Sequence, residues 1–97
     1  MKTFYVYILK CSDHTYYTSI TSNLSQRLRE HQLGKRKDTQ FRRPIQLEFS
    51  EEFTDISLAI STEIELKEWS SSQKEIFIHK GTPAFPKREK RQLALAI

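Results

Sequence analysis

The chain has one cysteine, Cys11, among 97 residues. A single thiol builds neither a disulfide framework within the chain nor a multi-cysteine zinc site, and Cys11 is read as a packing residue at the end of a strand. Long apolar runs are missing as well: no stretch approaches the roughly 20 residues that a membrane-spanning helix needs. Met1-Lys2-Thr3 leads into a strand-like run, not into an apolar signal segment with a small-residue cleavage site. These absences predict a cytoplasmic protein with no membrane partner. No internal repeat or low-complexity tract is present, which excludes a solenoid. What remains fits one small domain, because a chain of this length supports a sheet with a few helices but not two independent cores. Its net charge of +4 favours polyanionic partners such as nucleic acid.

Residues 4–10 and 16–21 are rich in Tyr, Phe, Val, Ile and Thr, and polar Ser12-Asp13-His14-Thr15 separates them. This pattern predicts a β-hairpin. Alternation places Tyr5, Tyr7 and Leu9 on one face and Phe4, Val6 and Ile8 on the other, so helices must cover at least one face. Asn23 with Gln26 fits an N-cap and its N3 partner, opening a helix over residues 24–32, and Gly34 fits its stop. A basic, irregular loop over residues 35–44 follows. Ile45 to Phe49 alternates strictly and predicts a third strand. Thr54-Asp55 opens a second helix running to about Trp69, and Ser70-Ser71-Ser72 caps a third over Gln73 to Ile78. The expected class is α+β: a small three-stranded antiparallel sheet flanked by helices, in the order ββαβαα. Residues 1–80 form the domain. Residues 81–97 form a basic tail, with Leu93 to Ile97 spaced to dock as a turn of helix.

Two helices turn charge toward the expected core. At about 100° per residue, Leu24, Arg27, Leu28 and His31 share one face of the first. On the second, the apolar arc of Ile56, Ala59, Ile60, Ile64 and Leu66 has Glu63 and Lys67 in its middle. Burying a polar group without a partner costs about 2–7 kcal/mol, and a charge costs more. Glu63 with Lys67 alone reads as an ordinary i,i+4 ion pair, and Arg27 with His31 as a snorkelling arginine beside a satisfied histidine. Together they suit phosphodiester hydrolysis, where an arginine or a metal ion stabilises charge on phosphate oxygens. A single carboxylate leaves most of the coordination to water and phosphate oxygens, as magnesium prefers, so free metal should bind weakly. Tyr7 and Tyr17 are placed to accept or relay a proton, with His31 orienting or sharing it. Equally, they are the tyrosines that ordinarily pack on strands.

The order and spacing of these segments resemble a stand-alone GIY-YIG nuclease domain of the small bacterial single-domain (UPF0213) type, over roughly residues 4–78. Tyr5-Val6-Tyr7 resembles the first motif, and Tyr17-Thr18-Ser19 stands where the second belongs. Asn23-Leu24 through Arg27-Leu28-Arg29-Glu30-His31 resembles the helix that follows, and Ala59 to Glu63, with Lys67 and Trp69 beyond, the metal-carboxylate helix. The resemblance implies Tyr7 as general base or water-orienting group, Tyr17 as its motif partner and Arg27 as the phosphate-stabilising residue. It implies His31 as helper and Glu63 as ligand of a weakly bound Mg2+ or Mn2+. DNA repair or recombination is the implied setting. Ser19 departs from the glycine that ends the second motif, and Asp38 from the aromatic usual in the middle of Lys37-Asp38-Thr39.

The expected function is therefore a metal-dependent endonuclease acting on DNA phosphodiester bonds. No separate DNA-reading module is apparent, so specificity would come from DNA structure or from a protein partner. Lys35, Lys37, Arg42, Arg43 and Lys67 are the candidate backbone contacts, setting affinity and salt sensitivity without reading sequence. The alternative is a catalytically weakened nucleic-acid-binding module on the same fold, with Ser19 and Asp38 as its marks. A third reading makes the inward charges a paired structural network.

Overall fold

The computed structural model describes residues 2–80, and the expected tail at 81–97 lies outside the described residues. The elements are β1 (Phe4–Lys10), β2 (Tyr16–Thr21), α1 (Leu24–Gln32), β3 (Gln46–Phe53), α2 (Ile56–Glu68) and α3 (Ser71–Lys80). The sheet runs β2-β1-β3, with both pairings antiparallel. The α+β class and the ββαβαα order are those read from the sequence. No helix among the described residues is long and apolar enough to cross a membrane.

β3 is longer than the expected Ile45 to Phe49. Polar Ser50-Glu51-Glu52 lies beyond the expected alternation, yet Tyr7 pairs with Ser50, Val6 with Glu51 and Tyr5 with Glu52. The central strand needs partners for its buried amides and carbonyls along its whole length, and Phe53 enters the core at the far end. A bulge between Ile8 and Leu9 accommodates the extra residue, Glu48.

The helix starts follow from local chemistry. Asn23 Oδ1 accepts from the Gln26 amide at 3.1 Å, and Asn23 Nδ2 donates to Gln26 Oε1 at 3.2 Å. Asp55 caps α2 through the Ser57 and Leu58 amides. Of the three serines before α3, Ser70 is the cap: its Oγ accepts from the Gln73 amide at 3.1 Å, while Gln73 Oε1 accepts from the Ser70 amide at 2.9 Å. This reciprocal box starts α3 at Ser71, earlier than the expected Gln73.

The core lies between one sheet face and the helices α2 and α3. Val6, Ile8, Phe53, Ala59, Leu66, Trp69 and Phe77 form its cluster. The Phe77 ring meets Phe49 at 4.7 Å and Trp69 at 5.4 Å, both edge-on. Cys11 is buried beside β1, as a packing residue should be. The expected apolar arc of α2 is corrected. Ala59, Thr62 and Leu66 are buried, whereas Ile56, Ile60 and Ile64 are 42%, 44% and 53% exposed. The apolar residues of α2 span more of its circumference than one sheet face can cover. The stripe with small Ala59 allows close approach, and Thr62 joins it because its hydroxyl donates to the Leu58 carbonyl at 2.8 Å. Lys67 moves with the isoleucines to the outside, and Glu63 sits at the boundary, its side chain 14% exposed.

Candidate active site

The other sheet face holds the polar set. Register places Ser19 directly across from Tyr7, and Tyr17 across from Leu9 on the same face. α1 crosses this face and buries His31 completely. Tyr7 Oη and His31 Nε2 are hydrogen-bonded at 2.9 Å. The Tyr7, Tyr17 and His31 rings form a triangle, with centroids 6.5 Å apart for the tyrosines and 5.8 and 5.4 Å from each to the imidazole.

The loop after α1 closes over this triangle. Thr39, fully buried, brings Oγ1 to 2.6 Å from His31 Nδ1. The Tyr17 hydroxyl donates to Asp38 Oδ2 at 3.1 Å. Two arginines hold the loop in shape. Arg42 donates to the Asp38 carbonyl at 3.2 Å, pairs with Asp13 at 3.4 Å and bonds the Thr15 hydroxyl. Arg43 donates to the Gln40 and Gln32 carbonyls at 3.1 and 3.3 Å. Its guanidinium packs over Gly34, where a Cβ would lie 2.7 Å from Arg43 Cζ and where φ is +79°, so this turn requires glycine. Arg42 and Arg43 therefore serve the loop itself. Lys35 and Lys37 are exposed and, with Arg36 and Asp38, line a shallow cleft at its tip.

The electrostatics follow from this packing. Arg27 pairs with Glu30 at 3.5 Å, and Arg36 meets the same carboxylate at 3.6 Å. Burial, reinforced by the Arg36 and Arg27 charges, holds the His31 pKa down at about 4, so the imidazole is neutral at neutral pH. Burial pushes the Tyr7 phenol above its usual value, opposed by the neighbouring Ser19 hydroxyl and by Arg27. Tyr17 is likewise raised by burial, again opposed by Ser19, with Tyr7 and Asp38 adding to the rise.

The expected site residues thus fall into two groups. Tyr7, Tyr17, Arg27 and His31 are gathered on one face. Glu63 lies on α2, which packs on the opposite, Val6/Ile8 side, and its ion pair is with Lys67 at 3.2 Å. No hydrogen bond or ion pair ties Glu63 to the tyrosines or His31. Among the described residues no cluster of three or more His, Cys, Asp or Glu is placed to hold a metal ion. A lone, half-buried carboxylate does fit a hard cation that keeps most of its water. Sequence reasoning missed Thr39, Arg36 and the bridging role of Glu30. Thr39 and Arg36 sit in an irregular loop, where no periodicity marks an inward side chain.

With this geometry in hand, the relationships are clear. The chain belongs to the GIY-YIG catalytic domain family, whose family model matches residues 3–76. Among its relatives are UPF0213 proteins. It is 40% identical over 79 residues to one from Haloquadratum walsbyi, covering 80% of this chain and 89% of that protein. It is 43% identical over 75 residues to one from Staphylococcus haemolyticus, covering 76% and 92%. The solution NMR structure of a UPF0213 protein from Bacillus halodurans superposes with a TM-score of 0.55 at 36% identity, covering 84% of this chain and 89% of that one. A solution NMR structure of a protein from E. faecalis gives 0.59 at 32% identity, covering 82% and 86%. The family implies nuclease activity in general, with DNA as substrate, and its nucleases generally use divalent metal ions.

Proposed function

We propose that this protein is a metal-dependent endonuclease hydrolysing DNA phosphodiester bonds, directed by DNA structure or a protein partner rather than by base sequence, in DNA repair or recombination. The observation that carries the reading is the buried Tyr7–His31 bond flanked by the Arg27 and Arg36 charges. Both guanidinium groups are held there by Glu30, and positive charge beside a buried phenol favours its use as a base for water attack. In this reading Tyr7 acts in its phenolate form: Oη takes the proton of a water whose oxygen bonds to phosphorus, the P–O bond to the leaving oxygen breaks, and that oxygen takes a proton from solvent. Arg27 faces the charge that builds on the phosphate oxygens, and Tyr17 orients the water with Tyr7. Glu63, at the edge of α2 with its side chain 14% exposed, would hold a weakly bound Mg2+ or Mn2+ only where the DNA passes that edge, and the ion would there supply neutralisation of phosphate charge. Lys35, Lys37 and Lys67 contact the DNA backbone, and Arg42 and Arg43 add their charge from within the loop.

The test is cleavage of supercoiled, branched and single-stranded DNA with magnesium or manganese, across a salt series. Metal-dependent cutting that disappears in Glu63→Ala, with folding and DNA binding nearly intact, is the expected result. Equal loss of folding and cutting would favour a structural network. A second reading, a weakened nucleic-acid-binding module, draws on the Ser19 hydroxyl between the two phenols and on Asp38, which occupies the Tyr17 hydroxyl. Salt-sensitive binding without cutting, with cutting gained in Ser19→Gly, would favour it.

A further inference from the structure

The loop that closes over the candidate site carries a phenyl ring in water. Phe41 is 90% exposed, and Leu33, the next most exposed large apolar side chain among the described residues, is 58% exposed. A single apolar side chain on a surface is ordinary, so exposure alone assigns Phe41 nothing. Its mounting and its surroundings do. The Arg42 amide donates to the Thr39 carbonyl at 2.9 Å, closing a turn with Gln40 and Phe41 at the two central positions. Both ends of this turn are fixed. Thr39 is buried against His31. Arg42 is held at its carbonyl by the Ser12 amide, at 2.9 Å, and at its guanidinium by Asp13, at 3.4 Å. Arg43 donates back to the Gln40 carbonyl at 3.1 Å. Phe41 follows Thr39 by two residues, so their Cα atoms are no more than about 7 Å apart. The ring is mounted on a fixed turn beside the site.

Charge decides what the ring meets. Residues 35–43 carry five basic side chains against one acidic. Arg36, Arg42 and Arg43 are engaged with Glu30, Asp13 and a loop carbonyl, whereas Lys35 and Lys37 are exposed and, among the described residues, in no ion pair. A second copy of this loop would bring like charges together, which disfavours self-association through it. A nucleic-acid strand supplies both halves of the match, phosphates for the lysines and a flat apolar face for the phenyl. Stacking of a base on an aromatic side chain is tolerant of sequence, because every base has a π-face. In an intact duplex the neighbouring bases cover those faces, and exposing one requires unstacking. We propose that Phe41 is a stacking platform for an unpaired base of the DNA beside the candidate site, with Lys35 and Lys37 on the flanking phosphates. This deepens the nuclease reading, on which it rests for the identity of the ligand: single strands and branch points are the preferred substrates, and intact duplex is not.

Binding of fluorescein-labelled oligo-dT to the full chain in EDTA, across a salt series, tests this apart from cutting. Phe41→Ala should weaken binding about tenfold, the order of one base–aromatic stack, and leave the salt slope unchanged because no phosphate contact is lost. Lys37→Ala should instead reduce that slope by about 1. Phe41→Trp should bind at least as tightly as the wild type, and Phe41→Leu, apolar but without a π-face, as weakly as Phe41→Ala. Competition by a relaxed, closed circular duplex should be the same for every Phe41 variant. A ring this exposed contributes little to the fold, so the variants should unfold at the wild-type urea midpoint. Oligo-dT affinity unchanged in Phe41→Ala, or retained in Phe41→Leu, overturns the proposal. So does a wild-type dimer that Phe41→Ala dissociates, which would give the ring to an interface between copies. The two readings fail separately. A protein that cuts DNA while Phe41→Ala binds oligo-dT normally loses the platform alone; one that binds oligo-dT through Phe41 yet cuts nothing supports the platform and counts against the nuclease reading alone.

Discussion

The two faces of β1 are equally buried and differently built. Val6, Tyr7, Ile8 and Leu9 are all 0% exposed, yet Val6 and Ile8 join an apolar cluster while Tyr7 joins a chain of phenol, imidazole and hydroxyl. The first face is held by area removed from water, about 25 cal/mol per Å², and its contacts are non-directional. The second is held by hydrogen bonds at 2.6 and 2.9 Å, which are lost when a donor or acceptor is removed. A strand at the centre of a small sheet thus separates stability from chemistry by the parity of its residues.

That separation can be broken or sharpened by substitution. The largest effect belongs to the apolar face: Leu66→Ala should cost about 3 kcal/mol of stability by opening a cavity, read by urea unfolding, with catalysis per folded molecule unchanged. Arg27→Ala should do the reverse, lowering turnover about 100-fold with an unaltered amide spectrum; a change confined to DNA affinity would count against its role. The polar face also gives stability its pH dependence. Because the folded pKa of His31 lies at about 4, below the ordinary 6.5, the unfolded chain binds more protons between these values. Stability is therefore complete above pH 6.5 and falls as the pH drops toward 4, by up to about 3 kcal/mol. His31→Gln should flatten that slope. The smallest effect is expected outside both faces: Ile60→Ser, on the exposed ridge of α2, should change stability by no more than about 0.5 kcal/mol. A loss several times larger would mean that the ridge is covered.

Much of this division is legible in the sequence. Aromatic and β-branched runs fix β1 and β2, and the Asn23–Gln26 pair fixes the start of α1, because both signals are local. Alternation assigns Tyr7 to one face and Val6 and Ile8 to the other, and helical spacing turns His31 toward the sheet. Signals that depend on a partner are harder to read. Ser50-Glu51-Glu52 becomes strand only because β1 needs a neighbour there. Ile56, Ile60 and Ile64 match an inward face as well as Ala59 and Leu66 do, and only the shape of the sheet chooses between them. Thr39 is the plainest case. It lies in a loop without periodicity, and its place beside His31 depends on Gly34, Arg42 and Arg43 shaping the residues around it.

That loop, residues 33–45, has an entropic consequence. It is tethered at Gln32 and Gly34 by Arg43, at Asp13 and Thr15 by Arg42, and to His31 by Thr39. Fixing a residue's backbone costs about 1–2 kcal/mol, and here that cost is met when the chain folds. A ligand arriving at the Lys35 and Lys37 cleft meets a surface already ordered, so its binding free energy is not diminished by organising the residues it touches.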